Sequence, residues 1–204
     1  MSALISVAAA LHSAASSLSP RMCASLAARS IATQHINLDE TATEIKADIL
    51  EHGVDKRGVL RQHYATDSLD ASTLLAAIFG FLPGEDERLR ASVLAIAEEL
   101  TEHGFVLRYR TDETDDGLSG KEGTFLICSF WLVSSLAIIG EMQRARDLME
   151  RLVRVASELG LYAEEFDVDT GRHLGNFPQA FSHLAMVEAA GRIILAERVA
   201  ELTG

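Results

Sequence analysis

The sequence predicts an all-α protein built by repeating one pair of helices, and three observations carry that expectation. Glycines able to stop a helix, Gly53, Gly104 and Gly160, recur at intervals of roughly fifty residues. Each closes a segment whose apolar residues repeat at helical spacing. After each comes a polar, aromatic-bearing stretch and then a second, more apolar segment.

Taken in order, NLDETATEIKADILEHG (37–53) opens with capping residues, places Ile45, Ile49 and Leu50 on one face and ends at Gly53. EDERLRASVLAIAEELTEHG (85–104) begins with acidic residues that suit a helix N-terminus. Its stripe is Leu89, Val93, Ile96 and Leu100, and its expected stop is Gly104. EMQRARDLMERLVRVASELG (141–160) aligns Leu148, Leu152 and Val155 and is expected to stop at Gly160. The partner segments ASTLLAAIFGFL (71–82), TFLICSFWLVSSLAIIG (124–140) and PQAFSHLAMVEAAGRIILAERVAEL (178–202) are apolar nearly all round. That composition belongs inside a stack, with the amphipathic helices outside.

The three intervening stretches, 54–70, 105–123 and 161–176, would then share one rim. Two are long for helix connections, and such loops are commonly functional. Convergence there would gather Tyr64, Asp70, Arg108, Tyr109, Asp112, Glu122, Glu164 and Glu165. Aromatics for sugar faces and charged groups for hydroxyls are what a carbohydrate requires.

Composition narrows the function classes. The chain has 204 residues, 48% hydrophobic and 24% charged, with a formal net charge of −12. That balance disfavours nucleic acid, which needs a basic footprint. No apolar run reaches the ~18 residues of a membrane span. Cys23 and Cys128 have neither metal spacing nor a disulfide framework, so a reducing compartment, the cytoplasm, fits. Residues 1–36 are Ala/Ser-rich, lack the basic start of a secretion signal and are expected to be helical, while 37–204 carry the repeat.

The stretches DASTLLAAIFGFLP, RYRTD…GLSGKEGTFLICSFWLV and GLYAEEFD…TGRHLGNFPQAFSHLA resemble the C-terminal half of glycoside hydrolase family 15. This is the glucoamylase group, which includes bacterial α,α-trehalases. The resemblance runs from about Thr43 to Glu188 and implies an (α/α)6 toroid, of which this chain would hold about three hairpins. It also implies inverting hydrolysis of an α-glucosidic bond in trehalose or a malto-oligosaccharide. Two carboxyl groups do that work, one protonating the leaving oxygen and the other activating water on the opposite face.

Carried over residue by residue, AEEFD places Glu164 as the general base, with Glu165 beside it. RYRTD resembles the substrate clamp, so Arg108 and Asp112 would bond glucose hydroxyls next to Tyr109, with Glu122 and Phe125 lining the same pocket. Asp70 is a weaker candidate, suited equally to capping the helix after it. The base should have a hydrogen-bond donor holding it.

The upstream half departs from the family. The general acid should lie in a Trp-Glu segment, but Trp131, the single tryptophan, stands between Phe130 and Leu132. Residues 1–36 carry no family motif, and a truncated hydrolase lacking its acid is the expectation. A complementary upstream half-domain or self-association would then cover the exposed repeat faces. The competing expectation is a non-catalytic half-toroid serving as a carbohydrate-binding or interaction scaffold.

Other motifs give blander readings. DETDDG matches a calcium loop at Asp112, Asp116 and Gly117, but Gly123 stands where the closing glutamate is needed. No metal or nucleotide cofactor is indicated. Phe125, Phe130 and Trp131, at helical spacing, read more readily as core than as ligand contacts, His183 as a bonded core histidine, and His52 and His103 as helix-terminal cations.

Overall fold

The computed structural model describes residues 38–110 and 123–203. Asp112, Glu122, the calcium-like loop and residues 1–36 therefore lie outside the described residues. Helix α1, Leu38–His52, starts with Asp39 and Glu40 and ends where Gly53 N–H donates to Ile49 O at 2.7 Å. Its inward face carries Ile49, fully buried, with Ile45 and Leu50 packed beside it.

The second apolar segment is much shorter than its composition predicts. A 3₁₀ turn, Ala71–Leu74, leads into the single-turn helix α2, Leu75–Ile78. Gly80 ends it with φ +66°, and the Gly80 and Phe81 amides bond the Ala77 and Ala76 carbonyls. This paired closure satisfies the last carbonyls and turns the chain, so the apolar run 79–82 packs as loop. Phe81 and Leu82 are buried there without being helical.

Helix α3, Glu87–Glu99, is capped by Asp86, which accepts from Arg88 N–H at 2.9 Å. Its predicted stripe holds, since Leu89, Val93, Ile96 and Leu100 are all fully buried. The stop is not Gly104, however. The helix ends at Glu99, and strands β1, Thr101–Glu102, and β2, Phe105–Val106, form an antiparallel hairpin. His103 (φ 49°) and Gly104 (φ 79°) are its two turn residues. Two consecutive positive φ values match the twist of a tight hairpin, which is what this glycine serves. His103 is therefore a turn residue and not a helix-terminal cation.

Strand β3, Thr124–Phe125, runs directly into helix α4, Leu126–Ile138. The helix is buried on nearly every side, as an interior helix should be. Its buried serines are bonded: Ser129 Oγ receives Val106 N–H at 2.9 Å and Ser135 Oγ donates to Leu74 O at 3.2 Å. Helix α5, Met142–Arg154, buries Ala145, Leu148 and Leu152 and ends before Gly160 is reached. Val155 caps it, and Gly160, at φ +71°, belongs to the turn beyond.

Strands β4, Glu165–Asp167, and β5, Arg172–Leu174, join β3 in a three-stranded antiparallel sheet with β4 central. Helix α6, Ala180–Thr203, packs on α4, which also contacts α5. The inner-and-outer helix pairs are those of a partial helical toroid. The interior expected for 178–202 is only half realised. Ala185 and Ala189 are buried, but Phe181 and Leu184 are each 65% exposed and Leu202 is 87% exposed. No further hairpin among the described residues covers that face. No helix of the described residues is long and apolar enough to cross a membrane.

Candidate active site

Four segments remote in sequence meet in a cleft of about 570 Å³. The end of the first loop contributes Asp70, the segment after β2 contributes Arg108, and the β3–α4 junction contributes Phe125. Glu164 enters from the segment leading into β4. An antiparallel bridge between Asp70 and Tyr109 ties the first two together, with Ala71 N–H donating to Arg108 O at 2.9 Å.

Only one of the two adjacent glutamates faces the cleft. The segment is extended, so successive side chains point to opposite sides. Glu165 pairs with Phe125 in the sheet and its Oε2 accepts from Gly123 N–H at 2.9 Å. It holds Gly123 just ahead of β3 and does not line the cleft. Glu164 Oε2 accepts from Asn176 twice, from Nδ2 at 2.9 Å and from the backbone N–H at 3.2 Å. These two bonds fix the orientation of the carboxylate in the cleft. Among the described residues Glu164 Oε1 makes no protein hydrogen bond, which leaves that oxygen for water.

The β4–β5 hairpin and the turn after it bring Asn176 into place. Gly175 has φ +71°, and a β-carbon there would stand 2.9 Å from Glu164 Oε2 and 3.0 Å from Glu164 Cβ. The glutamate therefore occupies space that only glycine leaves empty.

Arg108 lies against two rings, its Cζ 5.1 Å from the Tyr109 centroid and 5.9 Å from that of Phe125. Stacking of this kind orients a guanidinium while its donors stay available. Tyr109 is buried and serves Arg108 from below, so it does not line the cleft itself. Asp70 is the cap expected of it and also lies at the cleft. Its Oδ1 caps the 3₁₀ turn through Ser72 N–H at 2.8 Å, and the residue lines the cleft.

Tyr64 is not part of the site. Its hydroxyl donates to Asp48 Oδ2 and its ring meets that of His52 at 5.9 Å, back on α1. Burial and then the Asp48 bond push its hydroxyl up to about 12. The first loop is pinned to the outer helix before it reaches the cleft. Trp131, expected in the core, packs partly against it and also lines the cleft, together with Cys128 one turn away, Gln179 just before α6 and Ser182 within it. The i, i+3 spacing of 128 and 131 puts them on one face of α4, a signal present in the sequence but masked by the apolarity of the other faces. Burial, reinforced by the Asp70 charge and opposed by Arg108, raises the Cys128 thiol above its ordinary value, which disfavours the thiolate. Among the described residues no three His, Cys, Asp or Glu side chains are grouped to hold a metal.

Comparison with known proteins bears on the family and the fold. The model of the family "Glycosyl hydrolases family 15" matches residues 9–191, reaching well into the N-terminal segment that carried no recognised motif. The chain is 64% identical to a trehalase of Mycolicibacterium smegmatis over 163 residues, covering 80% of this chain and 24% of that protein. A trehalase of Mycobacterium tuberculosis is 63% identical with the same shares, and one of Thermoplasma volcanium is 40% identical over 152 residues, 74% and 24%. The chain thus spans about a quarter of the length of the trehalases it matches. Among solved structures, a wild-type glycosidase superposes with a TM-score of 0.66 at 21% identity, covering 78% of this chain and 44% of that one. A variant glycosidase in complex with glucose gives 0.72 at 20%, covering 95% and 52%. At such identities the likeness is one of fold.

Proposed function

This chain belongs to glycosyl hydrolases family 15, and from that premise we propose that it carries the base side of an inverting α-glucosidase site acting on trehalose. The observation that carries this reading is Glu164, which faces the cleft with one carboxylate oxygen held by Asn176. Two hydrogen bonds to one oxygen fix the orientation of the carboxylate and leave the other oxygen to accept from water.

In the proposed reaction Glu164 takes a proton from water as the water oxygen bonds the anomeric carbon. The glycosidic C–O bond breaks on the opposite face, and the leaving oxygen receives a proton from an acid. Arg108 and Asp70 would bond hydroxyls of the glucose, and Phe125 and Trp131 would offer ring faces to it. Asp112 and Glu122 extend the same clamp in this proposal. The acid is placed in the sequence that the trehalases carry beyond the quarter matched here, since no Trp-Glu pair occurs in these 204 residues. Trehalose is preferred to malto-oligosaccharides because the relatives at 63–64% identity are trehalases. The cytoplasm is the proposed compartment.

The test is glucose release from trehalose, by the chain alone and after complementation with the remaining segment of the Mycolicibacterium smegmatis trehalase. The chain alone should be a poor catalyst, because general acid help is typically worth about 10²–10⁴-fold. Complementation should restore turnover, and Glu164→Gln should lower it by a similar ~10²–10⁴-fold. Complemented turnover that is indifferent to Glu164→Gln would overturn the base assignment.

A further inference from the structure

The residues just before the proposed base are held in an unusual way. Tyr162 and Ala163 are buried, so each of their backbone groups needs a protein partner. They lie outside the strand ladder, and side chains supply three of the four bonds. Tyr162 N–H donates to His183 Nε2 at 3.3 Å and Tyr162 O accepts from Gln179 N–H at 2.9 Å. Ala163 N–H donates to His173 Nδ1 at 3.2 Å and Ala163 O accepts from the buried Ser182 hydroxyl at 2.8 Å. The next residue is Glu164, tied by its own N–H to Asn176 O and by its carbonyl to Leu126 N–H.

The second nitrogen of each imidazole settles its tautomer. His183 Nδ1 lies 2.7 Å from Gln179 O, and His173 Nε2 lies 2.8 Å from Val155 O. A carbonyl can only accept, so His183 carries its proton on Nδ1 and His173 on Nε2, leaving the bare nitrogens to receive the two amides. Ring contacts keep both imidazoles in plane, His183 against Tyr162 at 5.6 Å and His173 between Phe166 and Phe177 at 5.6 and 5.8 Å. The two histidines thus come from different elements, α6 and β5, and clamp consecutive amides in opposite tautomers.

The geometry points to His173 and His183 as positioning residues that set the backbone from which Glu164 reaches into the cleft, an inference that rests on the reading of Glu164 as the base. Neither imidazole touches the cleft as a lining residue, and neither is needed to transfer a proton. Their function is to satisfy two buried N–H groups that no strand or helix reaches.

Opposite tautomers give a crossed test. An Asn oxygen replaces Nδ1 and a Gln nitrogen or oxygen replaces Nε2. His173→Asn and His183→Gln therefore keep an acceptor for the amide, whereas His173→Gln and His183→Asn keep only the donor to the carbonyl. Amide exchange and the Asn176 side-chain signal would be followed by NMR on the full 204-residue chain. In His173→Gln the Ala163 amide, and in His183→Asn the Tyr162 amide, should exchange about tenfold or more faster, with a shifted Asn176 Nδ2 resonance reporting the displaced Glu164 carboxylate. The other two variants should retain both signals. In the complemented enzyme the two acceptor-deleting variants should lower kcat with KM unchanged. The same ranking of Asn and Gln at both positions, or released amides with an unmoved Asn176 signal, would overturn the clamp. Exchange and resonance do not depend on turnover, so failure of the base assignment in the Glu164→Gln assay and failure of the clamp are separate results.

Discussion

Gly175 shows how narrowly the placement of Glu164 is set at the scale of one residue. Its φ of +71° already disfavours any side chain, and an added methyl would meet Glu164 at 2.9–3.0 Å. Left-handed backbone costs an L-residue about 1–2 kcal/mol. Gly175→Ala should therefore destabilise the chain by about 1–2 kcal/mol in urea unfolding and also displace the Glu164 carboxylate from Asn176. An alanine variant with unchanged stability and an unmoved Asn176 signal would contradict this packing. Glu165, one bond along the chain, serves the sheet instead of the cleft because the extended backbone sends it the other way.

Helix α3 offers the clearest test at the scale of an element. Asp86 caps its first turn, and the Arg88 side-chain bond, working against the opposing effect of burial, holds the Asp86 carboxyl below its ordinary 3.8. A carboxyl with a lowered folded value stabilises the fold fully above the unfolded value. That contribution is lost as pH falls through the lowered folded value. Asp86→Ala should cost about 1 kcal/mol at neutral pH, measured by denaturant unfolding. The difference between variant and parent should shrink as the pH drops below 3.8. A gap that persists unchanged into strong acid would rule out the ionised cap as its source.

At the scale of the whole molecule, the exposed face of α6 is the principal liability. Phe181, Leu184, Val187, Ile194, Leu195, Val199 and Leu202 lie on one helix and are all exposed, a larger apolar stripe than a monomer usually tolerates. The 204-residue chain on its own should associate with concentration in sedimentation velocity, and salt should not disperse it, since the contact is apolar rather than ionic. Leu184→Glu combined with Leu195→Glu should return it to monomer. A parent chain that is monomeric at all concentrations would show that the face is covered by other means.

Much of this architecture was legible in the chain itself. The stripe of α3, the all-round apolarity of α4 and the capping of Asp70 follow from local periodicity and short-range hydrogen bonding, which a sequence displays directly. The family resemblance likewise picked out Glu164, Arg108 and Phe125, and the cleft contains all three. Their catalytic and binding roles are proposals.

What the sequence alone determined was the helical class, the order of the long helices and the sign of the charge. The tertiary structure decided which glycine stops a helix and which turns a hairpin, that Tyr64 stays with α1, and that Trp131 faces the cleft. It also decided that Glu164 and not Glu165 points inward, and that two distant histidines satisfy the amides in front of it. The physical reason is the same throughout. Helix and capping energies depend on residues a few positions apart, whereas the direction of a side chain and the partner of a buried amide depend on groups brought together only when the helices pack.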